Sequence, residues 1–559
     1  MPEERADIGS HGSPGEAKVT PAGRVAEYFY RYWYFIVPLT ILLQGCVSHI
    51  ALPGLYMDAV NPDYMIVRLL NWNSHIYTLA LPGTCLFGIF PTIIQMYHGA
   101  LPYYLGAPVY MLFGTGIVGV RVANFVFASI VLMSAAVFLR VFGVRPLFIG
   151  STLAVVALDP GFLFSFRTQF YITLLPIAFV LLSVSIVENA DLHLSRKASS
   201  VAGLLIGLSV YGYFIYLFLV PAAALHLWRR LWPNPQRRVV FVYWLAGFAL
   251  GVSPYLIGFA LMFAATGGAP GFERFIAAYI GGSHVLGSQL NITQSLKYCF
   301  EIASETIGFV GPSTMMLRKT YTPFFAGLKF LMLLAPATAI LLMMIPLARK
   351  SIGIVLLFGF AAGTCSLFLL FGDRLWLHHA AMILLILYLG LALALEYIAK
   401  TTSLDGWANW ALALPFLILG LGNAIDRQRV MLDLERTGGV GLASDAIERF
   451  AEDSRSNPEP TFAFFPDWGV FMPFEMVTGG QIPLLTDFSP EAALRKLCEG
   501  QDALLAIIND KGVDRLAPWI DAVGWGSPEI VVYRQRDNVP VLTSLRWRAS
   551  APTHPACVS

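Results

Sequence analysis

Asp58 and Asp63 stand five positions apart in Leu55-Tyr56-Met57-Asp58-Ala59-Val60-Asn61-Pro62-Asp63-Tyr64, directly after the first long apolar segment. Pro53, Gly54 and Pro62 break helix, so the stretch reads as loop backbone beside an apolar span. A carboxylate at such a boundary can accept a proton from a hydroxyl, help that is typically worth about 10²–10⁴ in rate. The second acid can orient an acceptor, or the two together can take a hard divalent cation such as Mg or Mn through their oxygens. Both residues equally suit a plain turn, where Asp beside Asn and Pro bonds to local backbone. Spacing alone does not separate these readings.

A second set of residues matches an anionic group. Arg167 follows Asp159-Pro160-Gly161 at the head of an apolar run, Arg318-Lys319 precede another, and Arg374 sits in Phe371-Gly372-Asp373-Arg374-Leu375-Trp376-Leu377-His378-His379. Arg meets phosphate oxygens with two donors and Lys with a point charge. The competing reading is cations snorkelling to lipid headgroups. The His378-His379 pair, with no further ligand spacing nearby, fits an interface feature or one part of a metal set. Aromatics cluster at span ends as an interfacial belt does. Trp72 and Tyr103-Tyr104 lie in the first loop, where a ring can also stack on a sugar.

The elements that must hold these residues are mostly apolar. Hydrophobic residues make up 57% of the 559 and charged ones 13%, against roughly 25% charged in soluble proteins. Mean hydropathy is +0.65. This composition excludes a soluble globule and predicts a polytopic α-helical membrane protein. Crossing about 30 Å of hydrocarbon takes about 20 apolar residues. Candidate spans are 33–52, 116–139, 162–187, 239–263, 326–347, 352–372, 379–398 and 407–425, with a shorter one at 146–158. They are nearly free of charge. The run 200–228 is interrupted by Tyr211-Gly212-Tyr213 and Pro221. Lys and Arg favour the cytoplasmic side of short loops. Reading 200–228 as two antiparallel helices turning near Gly212 puts Arg140/Arg145, Arg196/Lys197, Arg229/Arg230/Arg237/Arg238, Arg349/Lys350 and Lys400 all on that side. This predicts about eleven spans, a cytoplasmic tail over 1–27, a membrane domain over 28–425 and outer loops at 53–115 and 264–325. The apolar piece 76–96 is expected as a helix lying on the interface.

Beyond 426 charged residues, Pro, Gly and Asp become frequent. Residues 426–559 predict a small α/β domain on the outer side. Buried strands are expected at 503–508 and 529–533, a further strand at 461–465, and a helix from Pro490 to Cys498 capped by Ser489. Cys85, Cys299, Cys498 and Cys557 fall outside, where disulfides form. Cys46 and Cys365 fall in spans. No CxxC or metal spacing occurs among the six cysteines, and unpaired packing is the plainer reading.

Three stretches resemble the GT-C glycosyltransferases of the protein O-mannosyltransferase and lipid A aminoarabinose transferase type. They are the acidic loop with Asp58 and Asp63; Tyr97-His98-Gly99-Ala100-Leu101-Pro102-Tyr103-Tyr104-Leu105 followed by Arg121-Val-Ala-Asn124; and the 203–221 helix pair. Their acids usually stand adjacent or one apart, whereas these stand five apart. The resemblance implies an inverting transferase that uses a polyprenyl-phosphate sugar and acts on a glycan, lipid or protein acceptor outside a bacterial inner membrane. Asp58, with Asp63, would be catalytic. His98, Tyr103, Arg167, Arg318, Lys319, Arg374, His378 and His379 would bind substrate. A divalent cation and the membrane lipid are the accompanying expectations, and nucleic acid is not a partner. The competing classes are a multi-span lipid or sugar transporter, which needs ionisable residues deep in its spans, and an inactive membrane scaffold.

Overall fold

A computed structural model describes residues 21–190, 194–279, 291–342, 352–372, 375–402, 407–457, 461–467, 469–485, 489–509, 515–549 and 557. Five described helices are long and apolar enough to cross a membrane: Ile117–Val141, Tyr171–Asn189, Phe214–Leu231, Arg237–Ala265 and Leu377–Thr401. Shorter apolar helices run over Tyr32–Val47, Pro146–Leu158 and Gly359–Phe371. Part of the expected tail, 1–20, the end of the expected span 326–347, and Arg349 and Lys350 lie outside the described residues.

The run 200–228 does break. One helix, Arg196–Gly212, ends at the Tyr211-Gly212-Tyr213 interruption, and a second, Val220–Leu231, returns. Gly203 and Gly207 sit on the backbone of Arg237–Ala265. A Cβ on Gly203 would lie 2.0 Å from the Trp244 carbonyl oxygen, and one on Gly207 2.3 Å from that of Phe248. Contacts climb both helices together, so the pair is parallel and its backbones meet over small residues. Their basic N-terminal ends therefore share one face of the bundle. Other bonds gather there as well. Arg230 donates to the carbonyls of Glu188 and Ala190, each at 3.2 Å. His226 meets Glu188 at 3.4 Å and Phe142 ring to ring. Arg145 pairs with Glu396 at 3.0 Å, and Lys400 donates to Gly143.

The nearly uncharged bundle nonetheless buries an ion pair. Lys329 pairs with Asp159 at 2.8 Å, with the two side chains 3% and 0% exposed. Tyr388 donates to the same carboxylate at 2.6 Å, and the Gly161 amide donates to its other oxygen at 2.7 Å. Asn423 in turn donates to the Tyr388 hydroxyl at 3.0 Å. Every partner is a fixed, hydrogen-bonded group, which is what makes a buried ion pair tolerable.

Residues 76–96 form no helix. A 3-10 turn at Ile76–Leu79 leads into two small hairpins, Cys85–Leu86 with Phe90–Pro91 and Ile93–Gln95 with His98–Gly99. Pro82 and Pro91 interrupt helix, and Gly83 and Gly88 take φ of 72° and 68°, left-handed values that end a helix and suit a tight turn.

The helix Leu414–Thr437 runs uninterrupted through position 425, so the membrane bundle and the C-terminal unit share one continuous rod. That unit carries a four-stranded sheet in the order Thr461–Phe464, Asp502–Ile508, Pro540–Trp547, Glu529–Arg534, with only the first pair parallel. Ser489 caps Pro490–Cys498, accepting from the Ala492 amide at 3.2 Å. Glu529–Arg534 is an exposed edge strand rather than a buried one, because Pro540–Trp547 occupies the central place. Cys498 and Cys557 are bridged, so plain packing is the wrong reading for that pair.

Candidate functional site

The acidic loop is irregular backbone: two 3-10 turns, Met57–Ala59 and Asp63–Met65. It gives its two acids opposite settings. Asp63 is 1% exposed, and both its oxygens are taken, by the hydroxyls of Tyr110 at 2.5 Å and Tyr171 at 2.9 Å. Asp63 thus braces the loop against two helices. Asp58 is only half-buried, and Tyr56 hydrogen-bonds it. Burial pushes its carboxyl up to about 6, because the charged form loses water.

A cluster of rings is assembled from three distant segments, and the Asp58 carboxylate lies close enough to Tyr97 and Tyr213 to disfavour loss of their phenolic protons. Tyr213 stacks on His98 at 5.9 Å, meets His379 edge-on at 5.8 Å and lies 5.8 Å from Tyr97. His378 and His379 pack at 3.9 Å, and Gln169 reaches His378 Nδ1 at 3.2 Å. The 3-10 turn Leu377–Ala380 carries both histidines, with exposed Trp376 at its start. Local packing explains the meeting. The His98–Gly99 strand lies on the helix break at Gly212. The Ala100 amide donates to the Tyr211 hydroxyl at 3.2 Å, and the Phe214 amide to the Tyr97 carbonyl at 3.0 Å. A Cβ on Gly99 would lie 2.4 Å from the Tyr211 carbonyl oxygen, so only glycine permits that approach. His98 itself is 1% exposed, and burial lowers it to about 4, leaving a neutral ring at pH 7.

The remaining expected binding residues lie elsewhere. Tyr103 is buried, and its hydroxyl donates to the Ile89 carbonyl at 2.8 Å, holding the hairpin rather than offering a face to a sugar. Arg167 caps the opening helix. Its guanidinium donates to the carbonyls of Gly45 at 2.8 Å, Cys46 at 2.9 Å, Ser48 and Leu52. Unpaired carbonyls at a helix C-terminus attract a cation there. Lys319 pairs with Asp433 at 2.6 Å. With Arg318 it lines a cavity of about 900 Å³ between the Leu414–Thr437 helix and the C-terminal sheet. Arg374 lies outside the described residues, one bond before Leu375. Among the described residues, no three His, Cys, Asp or Glu side chains group to hold a metal.

Sequence reasoning missed Gln169 and the place of Tyr213. The helix-breaking Tyr211-Gly212-Tyr213 triplet was the available signal for the latter, and Gln169 carried none. It also missed that the C-terminal unit completes the loop. Glu448, in Ala446–Arg455, accepts from the Leu55 amide at 2.7 Å. Asn71 donates to the carbonyls of Gly479 and Gly480 at 3.0 Å each, and Ser74 meets Glu475 at 3.5 Å. Burial raises Glu448 and Glu475 each to about 8. A carboxyl raised in the folded state holds its proton more tightly there than unfolded. Stability should therefore fall as pH rises from about 4.5 toward 8. Thermal unfolding in detergent is expected at higher temperature at pH 6 than at pH 8.5, and an unchanged midpoint would remove these two groups from the balance.

No family model matches the sequence, and no curated protein matches it. Solved structures do match. ArnT from Cupriavidus metallidurans bound to undecaprenyl phosphate is 13% identical over 94% of this chain and 99% of its own, with a TM-score of 0.54. Its apo form is 12% identical over 93% and 98%, with a TM-score of 0.53. The chain thus shares the fold of ArnT over 94% of its length, the GT-C architecture to which its acidic loop and Tyr-His-Gly stretch pointed.

Proposed function

We propose that this chain is an inverting membrane glycosyltransferase that moves a sugar from a polyprenyl-phosphate donor to a hydroxyl of an envelope glycan, lipid or protein outside a bacterial inner membrane. The observation that carries the reading is the contrast between the two acids: Asp58 is a half-buried carboxylate with its pKa raised to about 6, close to Tyr213, whose ring meets His379, whereas Asp63 is buried with both oxygens held by tyrosines. The undecaprenyl phosphate in the ArnT structure supports the donor class.

Asp58 accepts the proton of the acceptor hydroxyl. That oxygen forms a bond to the anomeric carbon from the face opposite the phosphate, and the carbon–oxygen bond to phosphate breaks. The electron pair departs with the lipid phosphate, a group that needs charge stabilisation more than a proton. Arg374, adjoining the histidine turn in sequence, supplies that charge. His378, His379 and Gln169 orient the sugar, and Trp376 forms the rim.

The test is purified protein in proteoliposomes with a labelled polyprenyl-phosphate sugar and extracted envelope glycans. Release of polyprenyl phosphate with the sugar inverted on its acceptor is the expected result. Movement of intact donor across the bilayer without cleavage would replace the transferase by a transporter, and no consumption at all by a scaffold. Because Asp58 acts as base only when ionised, kcat/KM should fall about tenfold per pH unit below about 6 and level off above it. A flat profile from pH 5 to 8 would exclude Asp58 as the base.

A further inference from the structure

Cys299 and Cys365 face one another with their sulfurs 3.4 Å apart. Cys299 lies in the helix Ile292–Ile307 and Cys365 in Ile352–Phe371. Neither touches the Asp58 cluster. Bonded sulfurs sit at about 2.05 Å, so an approach of about 1.3 Å converts this contact into a bond. Cys365 is six residues from the end of its helix at Phe371, about 9 Å along the axis, and it is only partly buried. It therefore lies in the half of its helix that leads into Trp376, His378 and His379. On that same side Cys498 and Cys557 are already bridged, so the compartment reached by Cys365 oxidises thiols.

We propose that Cys299 and Cys365 are a modification site: a second disulfide of the mature protein that fastens the Ile292–Ile307 helix to the outer end of Ile352–Phe371. The oxidant is the disulfide of a thiol-oxidising protein in that compartment. One cysteine thiolate attacks it to give a mixed disulfide, and the other thiolate then displaces the donor sulfur. Two thiols and one donor disulfide become one Cys299–Cys365 bond and two donor thiols. Tyr298, beside Cys299, donates to the Leu375 carbonyl at 2.7 Å and packs on Phe368. The bridge thus holds in place the residue that anchors the loop entering the histidine turn. Cys46 and Cys85 remain free thiols.

Membranes holding the full chain are precipitated in acid, redissolved in SDS with N-ethylmaleimide, and digested without reductant. The expected product is a peptide pair joined through Cys299 and Cys365 that separates on reduction. In Cys365→Ser the pair is absent and Cys299 carries the maleimide. Maleimide on both Cys299 and Cys365 in most wild-type chains would overturn the proposal. The wild-type digest decides alone, so a poorly folding variant leaves the answer intact, and the readout is independent of any transferase activity.

Discussion

Asp58→Asn is expected to insert and fold like the wild type yet transfer sugar about 10²–10⁴-fold more slowly, a barrier increase of about 3–5 kcal/mol. Asparagine keeps the shape and the bond to Tyr56 but cannot take a proton. The donor KM should hardly move, because the loss falls on the step in which the acceptor oxygen attacks. Asp63→Asn is the informative comparison. Both oxygens of Asp63 accept from tyrosines, so an amide nitrogen must face a hydroxyl donor, and the defect should show as lower yield and unfolding temperature. Initial rates and thermal midpoints measured on both variants separate the roles. Turnover within tenfold of wild type in Asp58→Asn would leave the reaction without its base.

Lys329→Met is expected to destabilise the bundle by about 3–5 kcal/mol, the usual cost of removing one member of a buried pair. It strands Asp159 without a counter-charge at 0% exposure. The Tyr388 and Gly161 bonds remain but do not neutralise it. The double variant Asp159→Asn/Lys329→Met leaves no uncompensated charge and should recover part of that loss. Contacting residues of this kind couple by about 0.5–3 kcal/mol. Thermal unfolding in detergent across the four-member cycle measures the coupling. Additive losses would show that the pair does not act as a unit.

Helical segments were legible wherever apolar length and basic flanks agreed, as at 117–141 and at the 196–231 break, where Gly212 and Pro221 mark the turn. The 76–96 stretch was misread because its apolar content hid the turn chemistry of Pro82-Gly83 and Gly88. The strand at 529–534 was placed but its exposure was not, since a Val-rich run looks the same at the edge of a sheet and in its middle. Asp58 stood out by its place beside a span. The division of labour between Asp58 and Asp63 depended on Tyr110 and Tyr171, which no spacing rule ties to either acid. Arg167 and Lys319 show the limit of reading cations from a chain: each had a protein partner far away in sequence. Histidines 378 and 379 were visible as a pair, whereas their meeting with Tyr213 required the folded bundle.

The Leu55–Glu448 bond joins groups 393 residues apart. At about 5–20 residues per second, the ribosome needs roughly 20–80 s to make the second partner after the first. For that whole interval the acid-bearing stretch waits in the membrane without its clasp. A nascent or prematurely terminated chain thus carries Asp58 but lacks the mount that sets it. The loop around Asp58 can therefore take its final setting only when the last quarter of the chain has been made.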